Sequence, residues 1–408
     1  MGETAWTTPA LDGADSVADA PTEPPPEQRV AWAELFFDLI WVFAVTQIAT
    51  ALAGAHDIGE AARLMLLFMP LWWGWVGATL LANRAGDLVD RALGRVALFS
   101  VAGCGLLMSV AVGGAFGDRA LVFAAGYVVL RLLLWAFSCR LPGGSARLRL
   151  EPFAVAAFVA APLFLLGAFL DGPWRIAAWT AAALIELIAP RVLPAGMNHV
   201  RIETAHLPER FGLFLIIALG ETVVAVGGQA AGIDLDGPTY AAFALAFLII
   251  VLLWWTYFHY GAPAVRHSLE HSPEQARIVT DVFSYAHLIY VTAIIMIAVG
   301  LKKLLAYPLS VPHSFPELLL APGVALYLFG FCYARWRMFG AATLQRSAAA
   351  LACCAIAVAA PLLPAIATAA LVLAVLLALN GYEAWIVTTH RPLPLLRLPR
   401  IARRETQL

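Results

Sequence analysis

Residues 33–53 read AELFFDLIWVFAVTQIATALA, a stretch in which Glu34 and Asp38 are acidic and no residue is basic. A helix needs about 20 predominantly apolar residues to cross the hydrocarbon core of a bilayer, and this stretch supplies them. Comparable runs follow at about 62–82, 93–114, 119–138, 152–170 and 174–193, then at about 209–230, 239–260, 281–301, 317–337, 346–362 and 364–388. Twelve such runs explain a chain of 408 residues that is 62% hydrophobic and 13% charged, against roughly 25% charged in an average soluble domain. The expected fold is all-α, a polytopic transmembrane helical bundle of about 12 spans. This composition excludes an ordinary soluble enzyme, a disulfide scaffold and a disordered chain. A net charge of -1 also argues against a nucleic-acid partner, because no basic field is present to attract phosphates.

The loops set an expected orientation. Nineteen of the 26 Lys and Arg residues, among them Arg84, Arg140, Arg191, Arg277 and Arg391, fall on one side of the alternating spans. Five fall on the other: Arg63, Arg119, Arg175, Lys302 and Lys303. Cytoplasmic loops carry the excess of basic residues, so both termini are expected in the cytoplasm and the chain in the cell (cytoplasmic) membrane. An even number of spans follows. Residues 1–28 hold six acids and the run Pro24-Pro25-Pro26 without a base. They read as a disordered acidic tail and lack the basic start and apolar stretch of a signal peptide. Residues 391–408 read as a basic tail.

Two six-span halves, 29–208 and 209–390, show internal likeness. The first half opens on Ala33-Glu34-Leu35-Phe36-Phe37 and the second on Pro208-Glu209-Arg210-Phe211-Gly212. About 40 residues after each Glu comes a Trp pair, Trp72-Trp73 and Trp254-Trp255. Six spans per half would make a parallel 6+6 repeat, the arrangement of some secondary transporters, with a site expected between the halves.

Function has to be sought among the few ionisable residues within spans, since each costs about 2.5–3.5 kcal/mol at a helix centre on the insertion scale. Glu34 and Asp38 lie four apart on one helical face with Trp41 and Val45. Such a pair suits a proton carrier, or a structural contact with an Arg of a neighbouring helix. Glu209 beside Pro208 fits a helix start, while Arg210 and Glu221, eleven apart, share a face. Glu221 is the deepest acid, about twelve residues into its span. Glu34, Asp38, Arg210, Glu221, Asp281 and His287 are the candidate ion or substrate pathway. Glu209, Arg131, His259 and Tyr285 are secondary candidates, and many of these groups can also be read as interfacial charge.

No Cys-x-x-Cys, His-Glu-x-x-His or Walker loop occurs, so neither a metal nor another cofactor is expected. His199 and His206, seven apart, make only a weak metal-ligand pattern. The five cysteines lie in or beside apolar runs and read as small core residues.

Glu34-Leu35-Phe36-Phe37-Asp38-Leu39-Ile40, continuing through Val42-Phe43-Ala44-Val45-Thr46-Gln47, resembles the opening span of the bacterial low temperature requirement A (LtrA) family. Glu209-Arg210-Phe211-Gly212-Leu213-Phe214, running on to Gly220-Glu221, is similar to that family's central helix. Trp254-Trp255-Thr256-Tyr257-Phe258 and Tyr285-Ala286-His287-Leu288 are similar to its next landmarks. Phe211 stands where relatives often carry His. The resemblance covers about 30–390 and implies a polytopic bacterial membrane protein linked to growth at low temperature.

The first expectation for function is a secondary transporter or permease-like protein. Its carboxylates would carry a proton or bind a cationic group, with Arg210 pairing with them when empty. The partners are then the lipid bilayer and a small-molecule or ion substrate. An enzyme is less favoured. Were it one, it would act on lipid or prenyl-type substrates through Asp38, His259, Asp281 and His287 gathered at one lipid-open cleft. A membrane scaffold or sensor is the third reading, in which the polar residues only hold helices together.

Overall fold

The computed structural model describes residues 30–86, 91–141, 151–193, 206–271, 275–391 and 394–397. The acidic tail, His199 and most of the basic tail lie outside these residues. The described chain is helical almost throughout. In order, the helices are α1 Trp32–Ala53, α2 Ile58–Ala85, α3 Ala92–Gly114, α4 Ala120–Arg140 and α5 Pro152–Ala168. They continue with α6 Gly172–Val192, α7 His206–Ala231, α8 Gly237–Glu270 and α9 Gln275–Ala306. The last three are α10 Leu320–Phe339, α11 Leu344–Leu362 and α12 Ala365–Thr388.

A helix therefore stands at each of the twelve apolar runs. Among the described residues, nine are long and apolar enough to cross a membrane. The other three are α5, which is shorter, α6, which carries Arg175, Glu186 and Arg191, and α10, which ends on Arg335 and Arg337. The protein is a multi-pass helical membrane protein.

Local signals explain where helices begin. Asp57 caps α2 by accepting from the Glu60 amide at 2.9 Å, and Asp236 caps α8 by accepting from the Thr239 amide at 2.9 Å. Each satisfies one of the amides that a helix start leaves without an intrahelical partner. Pro238 sits in the first turn of α8, where its missing N–H is no loss. Three helices contain π-helical turns, Ala156–Ala160 in α5, Thr256–Gly261 in α8 and Val279–Ala286 in α9. Such turns occur often at functional sites.

Packing follows one neighbour order in both halves. In the first, α1 packs on α3, α3 on α4, α4 on α5, α5 on α6, and α6 returns to α2. In the second, α7 packs on α9, α9 on α10, α10 on α11, α11 on α12, and α12 returns to α8. The halves meet where α1 contacts both α7 and α9, and where α2 contacts α7. Close approach depends on glycine at particular points. A Cβ on Gly74 of α2 or Gly105 of α3 would come within 2.7 Å of the Trp41 ring. The two glycines thus form the slot that seats Trp41 of α1. A Cβ on Gly300 of α9 would meet the Leu320 backbone at 2.5 Å.

The Trp pairs that suggested a repeat differ in environment. Trp72 and Trp73 are buried, whereas Trp254 and Trp255 are each 42% exposed. The first pair faces the junction between the halves, where Trp72 donates to the Ser284 carbonyl at 3.0 Å. The second pair lies on the outside of the bundle. Of the cysteines, Cys332 and Cys353 are buried, Cys104 and Cys139 are half-buried, and Cys354 is exposed. A short antiparallel ladder, β1 Ala341–Thr343 with β2 Leu395–Arg397, ties the chain after α12 to the start of α11.

Candidate functional site

The periodicity of α1 places Glu34, Asp38, Trp41 and Val45 on one face, and all four are buried. The face meets α7, whose first turns carry His206 and Arg210 at the same spacing of four. Arg210, fully buried, donates to Glu34 Oε1 at 3.0 Å and to Asp38 Oδ1 at 2.8 Å. Its guanidinium is forked between two carboxylates one turn apart, which removes the repulsion that an isolated pair would feel. His206 Nε2 lies 3.0 Å from Glu34 Oε2. From α2, Trp75 Nε1 donates to Asp38 Oδ1 at 2.7 Å, and the Asn83 amide lies 3.2 Å from His206 Nδ1. Three helices from two halves are thus joined by one buried polar network. Asp38 Oδ2 and Arg210 Nε have no hydrogen-bond partner among the described residues.

Glu221 is elsewhere. It lies eleven residues beyond Arg210, about 16 Å along α7, so the four central candidates do not meet in one cavity. Its carboxylate accepts from Thr46 Oγ1 of α1 at 2.5 Å. It lines a cavity of about 260 Å³ between α1, α7 and α9, together with Thr50, Gln229 and Lys302. Because Glu34 meets His206 and Arg210 while Thr46 meets Glu221, α1 and α7 run in the same direction. The charge network and the Glu221 cavity are two stations along their shared face.

The remaining candidates lie away from that contact: Asp281 and Tyr285 share Arg191, and His259 and His287 line one cavity in the second half. Asp281, in the π-helical turn of α9, is bridged by Arg191 of α6 and by Arg337 of α10. It forms a second charge clamp between the halves. Tyr285 donates to the Leu187 carbonyl at 2.5 Å and lies under the Arg191 guanidinium, 5.3 Å from its ring centroid. His287 shares a hydrogen bond of 2.8 Å with the Tyr257 hydroxyl, and its Nδ1 lies 2.9 Å from the Val282 carbonyl. Arg131 is ion-paired to Glu186 within the first half, both buried. Glu209 is exposed, as expected of a residue at a helix start. His259 is exposed and rests against Trp255 at 5.0 Å. Asp38, Asp281 and His287 therefore face different neighbours rather than one cleft.

Several contributors were not singled out from sequence as parts of the network. His206, in the sequence only half of a weak metal-ligand pattern with His199, bonds Glu34. The legible signal was the matched spacing: Glu34 with Asp38 on one helix, His206 with Arg210 on the other. Trp75 and Asn83 carry no such signal, because their part depends on how α2 lies across the α1–α7 contact. Arg346 and Glu383, on α11 and α12, form a bidentate pair at 2.7 and 2.9 Å. Phe211 fills a packed aromatic position, with ring centroids 4.7 Å from Trp75 and 4.9 Å from His287. Among the described residues no group of three or more His, Cys, Asp and Glu side chains is placed to hold a metal ion.

The family model described as bacterial low temperature requirement A protein (LtrA) matches residues 29–380, and the chain belongs to that family. An uncharacterized protein of Rhizobium meliloti (strain 1021) is 29% identical over 321 residues, covering 74% of this chain and 76% of the relative. No solved structure matches.

Proposed function

We propose that this LtrA-family membrane protein is a secondary transporter or permease-like protein whose pathway follows the α1–α7 contact between two six-helix halves. The observation that carries the reading is the pair of stations on that contact. At one, Arg210 clasps Glu34 and Asp38; at the other, Glu221 stands in a cavity of about 260 Å³ beside Lys302. Carriers that rock one half against the other place their site between the halves. In this conformation the first station is shut, and the Arg191–Asp281 contact reinforces it across the same junction. Glu221 is the acid that takes up a proton or a cationic group from the other side. Opening the shut end requires Arg210 to leave the carboxylates, which frees them for the same cargo.

The equal neighbour order of the halves supports a parallel 6+6 repeat with boundaries near 29–208 and 209–390 and with twelve crossings in all. The excess of Arg at the end of the bundle that carries Glu34 and Arg210 supports a cytoplasmic location for that end and for both termini. Glu221 then faces the opposite side of the cytoplasmic membrane. Replacing Glu221 with Gln in protein reconstituted into liposomes, with internal pH followed under an imposed gradient, tests the reading. Proton-coupled flux is expected to disappear while the amount of folded protein is kept. Unchanged flux overturns it.

A further inference from the structure

A cavity of about 550 Å³ lies not at the α1–α7 contact but inside the second half, among α8, α9, α10, α11 and α12. Its size falls within the roughly 300–1,000 Å³ of small-molecule sites. The floor is aromatic and buried, with Tyr257, Tyr290 and Phe331. Around it stand three guanidinium groups, of Arg335, Arg346 and Arg391, against one carboxylate, Glu383. That carboxylate is already engaged in both of its oxygens by Arg346. Arg335 and Arg391 have no ion-pair partner among the described residues. Each rests on a ring instead, Arg335 on Phe339 at 5.2 Å and Arg391 on Trp385 at 4.4 Å.

Polar groups without partners converge on the same space. Thr343 lines the cavity and is 4% exposed, yet its hydroxyl makes no hydrogen bond. It occupies the N-cap of α11 without capping it, which is unusual for a residue so well suited to that task. Both polar atoms of the Gln345 side chain and Arg335 Nε are likewise buried and unpartnered. Each such group costs free energy until something pairs with it. The Leu344 amide at the start of α11 is taken by the Pro394 carbonyl at 3.0 Å, so the Thr343 hydroxyl is left free to meet something in the cavity. Unpartnered donors and excess positive charge ask for the same occupant.

We infer that this cavity binds a phosphate group, with Arg335, Thr343 and Gln345 around its oxygens and Arg391 at the mouth. Guanidinium groups match phosphate oxygens in geometry as well as charge. The apolar floor accommodates the glycerol and first carbons of a lipid, so the phosphate has two sources, an anionic phospholipid headgroup or free phosphate. The site shares no charged residue with the α1–α7 stations and stands independently of the transport reading.

Purified full-length protein in a neutral detergent, titrated calorimetrically with dioctanoyl phosphatidylglycerol, dioctanoyl glycerol and sodium phosphate, tests the site. Binding of the phospholipid without sodium phosphate identifies a headgroup, and binding of sodium phosphate identifies the free anion. In either case Arg335→Gln is expected to weaken affinity roughly tenfold, and Glu221→Gln to leave it unchanged. Should Arg335→Gln fail to fold, the near-isosteric Thr343→Val decides, with an expected loss of roughly fivefold. The inference is overturned if neither phosphate-bearing probe binds, if dioctanoyl glycerol binds as tightly as the phospholipid, or if the deciding substitution leaves binding unchanged.

Discussion

At the start of α1, Glu34 and Asp38 are held by Arg210, His206 and Trp75, with all five side chains buried. Three turns further along the same helix, Thr46 meets Glu221 beside a cavity of about 260 Å³. The first region pairs its charges with opposite charges in direct contact, and the second leaves a single acid bonded to a hydroxyl, with Lys302 across open space. Within a membrane both arrangements are costly to build, but they do different things. A charge pair of this kind fixes which helices touch and in what register. An acid beside a cavity can change its proton or its partner without dismantling the helix contact around it. The same contrast separates Arg346–Glu383, paired on both oxygens, from Arg335 and Thr343 near it, which await a partner.

The largest effect expected from this contrast is on folding. Arg210→Met leaves two carboxylates buried without their cation, a change that costs about 3–5 kcal/mol in comparable buried pairs. Thermal unfolding in detergent should show a large loss of stability, and expression should fall with it. Removing the carboxylates as well, in an Arg210→Met, Glu34→Gln, Asp38→Asn variant, is expected to recover most of that loss, because no uncompensated charge remains. If the triple variant is no more stable than the single one, the network does not act as a charge unit.

A smaller effect is expected at Trp75. Trp75→Phe keeps most of the ring packing against Phe214, at 4.2 Å between centroids, but removes a hydrogen bond to a carboxylate, for an expected cost of about 1.5–3 kcal/mol. Chemical denaturation compared with the native sequence measures it. The smallest stability effect belongs to the other region. Thr46→Val removes one hydroxyl beside Glu221 and is expected to cost about 0.5–1.5 kcal/mol, while altering proton-coupled flux far more than it alters the unfolding midpoint. A Thr46→Val protein with normal flux and lowered stability would place Glu221 with the structural charges and erase the distinction between the two ends.

Much of this architecture was legible in the chain itself. Among the described residues a helix stands at each apolar run, since an apolar segment that must satisfy its own backbone has few alternatives to a helix, and nine of these helices are long and apolar enough to cross a membrane. The face bearing Glu34, Asp38, Trp41 and Val45 followed from helical periodicity alone. Spacing also placed Arg210 and Glu221 on one face of α7, but it did not separate their environments. Which of them meets another helix depends on the register between α1 and α7.

What the sequence by itself determined is therefore the class of molecule, the position of each helix and which residues share a face, because these rest on hydropathy and on the 3.6-residue turn. The tertiary structure decided the partners. It brought Arg210 to Glu34 and Asp38, set Glu221 against Thr46, joined Arg346 to Glu383 and left Thr343 unpaired over a cavity. Those outcomes depend on the crossing of helices far apart in the chain. Local periodicity carries no record of that crossing, which is fixed by contacts such as Trp41 in the slot between Gly74 and Gly105.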